Sequence, residues 1–416
     1  MGTGWGELAS VAVGFWLQRP GLVQHPLTMR KKNWDIFCTV VDNFGDIGVC
    51  WRLARQLAAE HGLQLRLWVD DLTSFRRLCP EIDPGLATQT QRGVEVRRWA
   101  SPFPDAAAAE VVIEAFACEL PEAYLAAMAS RAEGGARPVW INLDYLSAEA
   151  WVADSHGLPS PHPRLPLTKH FFFPGFAAGT GGLLREAGLL QRRDAWRNAA
   201  DKVGTETWAK ILPRLGLPPP QPGELSISLF SYRNPALPEL LEAWIAAPEP
   251  IHCLVPEGPA LAQAGAFLGL PGIRAGASVS RGSLILDALP FLAQDDYDRL
   301  LWSCALNFVR GEDSFVRAQW AARPMVWQIY PQEDAAHQNK LDAFLDRYCA
   351  DLAPPAAAAC RKFWQGWNGG GNMAQAWPAF WRQRPALAAH AGRWAEQLAA
   401  TEDLAGQLVN FVETLI

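Results

Sequence analysis

Asp42 and Asp46 stand four residues apart in "VVDNFGDIGVCWRLARQLA" (40–58), in a loop that also holds Gly45 and Gly48. A strand-like run, "WDIFCTVV", precedes them, and a helical pattern follows. A glycine-bearing turn between strand and helix exposes backbone N–H groups and a helix N-terminus, which suits phosphate. "GDIG" is not a full GxGxxG, however, and an acid inside the loop repels a phosphate. Either aspartate alone reads as a helix cap worth about 1 kcal/mol. Both together, at the carboxyl edge of a first strand, read as a site where a carboxylate orients or deprotonates a nucleophile.

A second constellation lies in "NFVRGEDSFVRAQWAARP" (307–324). The pattern predicts a strand ending at Val309, a turn over Arg310, Gly311, Glu312 and Asp313, and a helix from about Ser314. Arg310 offers a planar fork suited to a diphosphate. The N–H groups near Asp313 and Ser314 would serve the same anion. Glu312 could accept hydrogen bonds from sugar hydroxyls. The plain alternative is a capping cluster with a surface salt bridge. In "LPFLAQDDYDRLL", Phe291 and Gln294 fall between a strand and a helix, where a ring and an amide suit a nucleobase, although most such phenylalanines are core. Tyr232 closes "SISLFSY" and is either a phosphate-binding hydroxyl or a surface tyrosine.

Other chemistries are not indicated. The histidines, His337 included, show no metal spacing, and no Walker motif, GxSxG or Cys–His nucleophile signature is present. The eight cysteines form no CxxC pair and sit mostly in apolar runs, as reduced, buried thiols of a cytosolic protein do. A formal charge of −6 argues against non-specific nucleic-acid binding. No apolar run is long enough to predict a membrane span.

These residues need elements to hold them. With 416 residues, half of them apolar and 19% charged, the chain can build two or three cored domains. Apolar positions Val49, Leu53 and Leu57 repeat every four residues, with Arg52, Arg55 and Gln56 on the other face. This predicts an amphipathic helix stopping near His61–Gly62. Strands are predicted at "WDIFCTVV", "LQLRLWV", "VEVRRW", "VVIEAF" and "PVWINL", implying a parallel sheet with right-handed crossovers. A proline-rich break at 212–226 suggests a domain boundary. A second α/β series follows in "LSISLFSY", "IHCLVPEG", "LILDALPF", "ALNFVRG" and "PMVWQIYP". After about 335 the chain reads as helical, with "FWQGWNGGGNMAQ" as a loop-like interruption. The glycines of "KHFFFPGFAAGTGGLLRE" (169–186) suggest a flexible inter-domain connection. Two such sheets in tandem leave a cleft between their carboxyl edges, where ligands bind. Met29 is followed by "RKKNWDIF", so residues 1–28 are read as a non-conforming N-terminal extension.

Taken in order, "VVDNFGDIGVCWRLARQLA", "INLDYLSAEAWV", "KHFFFPGFAAGTGGLLRE", "LPFLAQDDYDRLLW" and "RGEDSFVRAQWAARPMVWQIYPQEDAAHQNKL" resemble the EarP family, the arginine rhamnosyltransferases of elongation factor P. The resemblance runs from about Trp34 to the C-terminus. It implies an α/β fold of the GT-B type: two Rossmann-like domains facing across a cleft, with the C-terminal helix returning to the N-terminal domain. The expected limits are 29–185 with helix 396–416 for the acceptor-side domain, and 186–395 for the nucleotide-sugar domain. The implied reaction is inverting transfer of rhamnose from dTDP-β-L-rhamnose to one arginine of elongation factor P, a cytoplasmic protein partner, with no metal, other cofactor, nucleic acid or membrane. Catalytic roles are implied for Asp46 as general base, Asp42 and Glu312. Donor contacts are implied for Asn43, Phe44, Gly45, Tyr232, Phe291, Gln294, Arg310, Asp313 and Ser314.

The residue chemistry agrees with that implication. A guanidinium is a poor nucleophile, with a pKa of about 12.5 or above. Paired carboxylates can bind it and accept its proton as a C–N bond forms. Two other readings compete: a GT-B transferase acting on a small molecule or cell-envelope glycan, and a non-catalytic nucleotide-sugar binding module. A hydroxyl acceptor usually needs one base, and a binding module needs neither acid.

Overall fold

The computed structural model describes residues 32–41, 44–203, 225–331, 336–369 and 371–416. The 1–28 extension, Asp42, Asn43 and most of the proline-rich break lie outside the described residues.

Two sheets carry the molecule. The first is built from β1 (Asn33–Cys38), β2 (Gln64–Val69), β3 (Thr88–Gln91), β4 (Val94–Arg98), β5 (Val111–Ala115), β6 (Val139–Leu143), β7 (Pro159–Pro161) and β8 (Thr168–Phe172), in the order β3-β4-β2-β1-β5-β6-β8-β7. The second holds β9 (Leu225–Leu229), β10 (Ile251–Pro256), β11 (Ser278–Arg281), β12 (Leu284–Leu289), β13 (Leu306–Arg310) and β14 (Met325–Gln328), in the order β11-β12-β10-β9-β13-β14. The first six strands of each half therefore follow one plan. In both, five of these strands run parallel and an antiparallel hairpin strand closes one edge; in the first sheet β8 continues parallel beyond β6 and β7 closes that side as a second antiparallel hairpin. Strands β1, β5, β9 and β13 are almost wholly buried, as strands covered on both faces must be. The strand order reverses between β1 and β5, and again between β9 and β13. Crevices that bind ligands open at such points.

Sequence patterning missed the edge strands. "TQTQ" (β3) and "SVSR" (β11) are polar and largely exposed, and each exists because its hairpin partner pairs with it. The interruption expected across "FWQGWNGGGNMAQ" is also narrower than the stretch suggests. A helix runs through Pro354–Gly369 and the next starts at Met373. Phe363, Trp364 and Trp367 recur at helical spacing and are buried, with Trp367 5.0 Å from Phe308 of β13 between ring centroids. That packing outweighs the weak helix propensity of the glycines.

The glycines of 169–186 do not make a slack connection either. A Cβ at Gly181 would lie 2.3 Å from the Phe172 ring, and one at Gly175 would lie 2.6 Å from Thr180 Oγ1. These glycines permit close packing. The last helix, Leu404–Leu415, returns to the first half: Phe411 lies 5.5 Å from Phe172 between ring centroids, and Asp403 Oδ1 accepts from Gln56 Nε2 at 2.9 Å. All eight cysteines are buried and free. Among the described residues no helix is long and apolar enough to cross a membrane.

Candidate active site

The chain leaves β1 and enters the helix Gly45–Glu60, which has Phe44 at its N-cap and no side-chain cap. Asp46 is therefore not the capping residue. It sits in the first turn, 3% exposed, and its Oδ2 accepts from the Val41 N–H at 2.9 Å. That bond ties Val41 to the first turn of the helix. Asp46, Gly45 and Val41 line a cavity of about 250 Å³ together with Tyr145, Leu146, Gly311, Glu312, Trp327, Ile329, Tyr330 and Lys340. The two halves meet there: Asp46 comes from the β1 crevice and Glu312 from the turn after β13.

Glu312 is an unusual carboxyl. Burial, reinforced by the charges of Asp46 and Asp144, pushes its pKa from the ordinary 4.5 up to about 8. The Leu146 N–H, donating to Oε2 at 2.9 Å, and the Lys340 ammonium pull the other way and do not prevail. At neutral pH the cavity thus holds a protonated Glu312 beside Asp46. A cation entering the cavity would favour the ionised form. Tyr145 and Tyr330 are 37% and 47% exposed at its rim, and the Lys340 ammonium lies 5.8 Å from the Tyr145 ring centroid. Aromatic faces and acids together suit a planar cation.

On the other side of Gly45 and Gly311 a second cavity, of about 60 Å³, is lined by Phe44, Phe291, Gln294, Arg310, Asp313 and Ser314, among others. Gly311 makes the turn between the two cavities at φ 59°, in the left-handed region. The Arg310 guanidinium lies 4.5 Å from the ring centroids of both Phe230 and Tyr232. Among the described residues no carboxylate pairs with it. The helix Asp313–Trp320 begins at the same turn, and its first N–H groups have no intrahelical partner. The Ser314 hydroxyl accepts from the Arg310 N–H at 3.1 Å and donates to the Arg310 carbonyl, which ties the turn to the helix start. An unpaired guanidinium beside a helix N-terminus is a site for an anion. Phe44 and Phe291 stand 4.7 Å apart between ring centroids and close the pocket, leaving it smaller than the roughly 300–1,000 Å³ of a formed ligand site.

The comparisons with known proteins bear on the same residues. The family model described as "Elongation-Factor P (EF-P) rhamnosyltransferase EarP" matches residues 34–413. The chain belongs to the EarP family. A protein-arginine rhamnosyltransferase of Pseudomonas putida is 52% identical over 381 residues, covering 92% of this chain and 98% of the relative. One from Shewanella oneidensis is 43% identical over 395 residues, covering 92% and 98%. A solved structure, described as the structural basis for EarP-mediated arginine glycosylation of translation elongation factor EF-P, superposes with a TM-score of 0.67 at 39% identity, covering 93% of this chain and 100% of that one. The fold is GT-B, and the chain is a glycosyltransferase.

Within this EarP-family fold, two residues expected to hold the donor are engaged with protein partners. Gln294 Nε2 donates to the Gly48 carbonyl at 3.0 Å and to Asp313 Oδ2 at 3.1 Å, while its Oε1 accepts from Arg55 at 3.1 Å. Asp313 Oδ1 accepts from Arg52 Nε at 2.8 Å. Both bridge the halves. Tyr232 is half-buried against Arg310, so it is not a plain surface tyrosine.

Sequence reading placed Arg52 and Gln56 on the polar face of an amphipathic helix. Both are in fact buried, at 1% and 2% exposure: Asp298 and Asp313 of the second half cover Arg52, while Gln56 Nε2 donates to the Arg185 carbonyl and to Asp403 Oδ1, each at 2.9 Å. Tyr145, Leu146 and Lys340 were also not picked out. "DYL" and "NKL" carry no local signal, and their place in the cavity depends on how the two sheets meet.

Proposed function

We propose that this chain transfers L-rhamnose from dTDP-β-L-rhamnose to one arginine of translation elongation factor P in the cytoplasm, inverting the anomeric centre. The observation that supports this most is the pair of adjoining cavities across Gly45 and Gly311: one acidic and aromatic, the other cationic. A guanidinium fits the first, and the diphosphate of a nucleotide sugar fits the second. The names of the family's relatives support an arginine acceptor, rhamnose as the sugar and elongation factor P as the protein modified.

In this reading the acceptor guanidinium lies between Asp46 and Glu312, facing the anomeric carbon. A guanidinium nitrogen attacks that carbon as the C–O bond to the diphosphate breaks. The proton leaving the nitrogen passes to the Asp46 carboxylate, and the electron pair of the broken bond departs with dTDP. One displacement on one face inverts the centre. Arg310 and the N-terminus of the helix Asp313–Trp320 stabilise the leaving diphosphate. The positive charge for that task comes from the protein, and no metal is assigned to the step.

Incubation with dTDP-rhamnose and elongation factor P, followed by mass spectrometry of the factor, tests the proposal. One deoxyhexose on a single arginine is expected, and none when that arginine is replaced by lysine. Donor bound without any transfer to the factor, or sugar found on a small molecule instead, would overturn it.

A further inference from the structure

Asp46 and the donor turn belong to different halves, so their separation depends on what joins those halves near the cleft. One side chain makes several of these contacts. Arg52 lies six residues beyond Asp46 on the same helix, roughly 9 Å along its axis at about 1.5 Å per residue. A guanidinium has five N–H donors, about the most that one side chain offers, and in Arg52 each nitrogen is engaged. Nε donates to Asp313 Oδ1 at 2.8 Å. Nη1 donates to Asp298 Oδ2 at 3.2 Å and to Glu186 Oε1 at 3.5 Å. Nη2 donates to Asp298 Oδ1 at 3.1 Å and to the Gln294 carbonyl at 3.4 Å.

The acceptors are themselves fixed. Arg317 donates from Nε and Nη2 to Asp298 at 2.9 and 2.6 Å, and from Nη1 to Glu186 at 2.6 Å. Although burial opposes its charge, Glu186 is held well below the usual carboxylate range by Arg317 and Arg52. Every charge in the cluster has a partner of opposite sign. Breaking such a buried network is costly, but its geometry is what bears on the reaction.

Gly48 points the same way, independently of charge. It lies one half-turn from Asp46, and a Cβ there would stand 3.1 Å from Asp313 Oδ2 and 3.3 Å from Asp313 Cβ. The helix bearing Asp46 therefore approaches the start of the donor helix as closely as the absence of a side chain allows. Asp313 is the neighbour of Glu312 and receives Arg52, so one contact region fixes both walls of the acidic cavity.

We propose that Arg52 is a positioning residue: through Asp313 and Asp298 it sets the separation and angle between the turn carrying Asp46 and the turn carrying Glu312 and Arg310, with Gly48 permitting the close approach. This rests on the reading of Asp46 as the base.

The test uses the full chain as Arg52→Lys, Arg52→Met and Gly48→Ala. Lysine keeps the charge but replaces a planar five-donor fork with three donors on a point charge. Misplacement by about 1 Å can cost on the order of a hundredfold in rate. Arg52→Lys and Arg52→Met should therefore lose about a hundredfold in kcat, and Gly48→Ala about tenfold, while calorimetry finds dTDP affinity within about threefold of wild type.

A second measurement does not depend on turnover. Spin labels at Ala126→Cys and Glu242→Cys, both exposed and one on each half, report the spread of distances between the halves. That spread should widen in the Arg52 variants. If Arg52→Met does not fold, Arg52→Lys and Gly48→Ala carry the same test. Wild-type kcat in Arg52→Lys, an unchanged distance spread, or dTDP affinity falling in step with kcat would each overturn the proposal. A wild-type enzyme that does not modify elongation factor P, with labels that still spread in Arg52→Lys, would refute the assigned function and leave the positioning role standing.

Discussion

The two halves share one sheet plan and use it for opposite charges. In the first, the chain leaves β1 at the point of strand reversal and presents Asp46. In the second, it leaves β13 at the corresponding reversal and presents Arg310 and a helix N-terminus. The topology supplies a crevice in each case, and the side chains decide what enters it. An acid at the first crevice disfavours phosphate and favours a cation. A guanidinium set between two rings at the second favours phosphate. Under the proposed function, the contrast lets related architectures hold an arginine and a nucleotide sugar on facing walls of one cleft.

The largest effect should come from the first crevice. Asp46→Asn removes the assigned base and should lower transfer by about 10²–10⁴-fold. Its affinity for dTDP, measured by calorimetry, should remain that of the wild type. A variant with near-normal turnover would reduce Asp46 to a brace for Val41.

Arg310→Ala should have the complementary phenotype. Losing a charge-assisted contact costs about 1.5–3 kcal/mol, roughly ten- to a hundredfold in affinity. dTDP alone should weaken by that factor, while elongation factor P binds as before. If factor binding were lost instead, the assignment of charges to the two crevices would be reversed.

Glu312 sharpens the comparison through pH. Its pKa is raised, from 4.5 to about 8, mainly by burial and then by Asp46 and Asp144. A cationic acceptor prefers the ionised form, so acceptor affinity should rise as pH climbs through about 8, with a proton released on binding. Titration calorimetry in buffers of different ionisation enthalpy would detect that proton.

The effect on stability has a definite sign. Between pH 4.5 and about 8 the folded state binds more protons at this group than the unfolded state, so its contribution to stability falls as pH rises across that window. Glu312→Gln keeps an acceptor for the Leu146 N–H and cannot ionise. Its melting temperature should exceed that of the wild type at pH 9, and the gap should close near pH 4.5. The smallest expected effect is that of a chelator, which should leave the transfer rate unchanged.

Much of this was legible in the sequence, for reasons that can be named. Buried parallel strands are short apolar runs, and β1, β5, β9 and β13 appear as such. A turn that mixes glycine with charge between a strand and a helix is a local pattern, so Asp46 and the stretch Arg310–Ser314 stand out in the sequence itself. The helix Gly45–Glu60 follows from a four-residue apolar repeat and a stop at His61–Gly62, where Gly62 takes φ 65°. Interactions within a few residues carried all of these.

The tertiary structure decided what depends on distant neighbours. The edge strands β3 and β11 have no apolar pattern of their own and form because a partner lies beside them. Arg52 looked like a solvent-facing charge, and only the second half, arriving some 240–260 residues later through Asp298 and Asp313, buries it. Gly175 and Gly181, in the stretch 169–186, looked like slack and are contact points, because Thr180 and Phe172 fill the space where their side chains would stand. The carboxyl of Glu312 is ordinary in sequence. Its high pKa arises from desolvation at the junction of the halves, with Asp46 and Asp144 brought close by the fold, and no window of neighbouring residues contains that information.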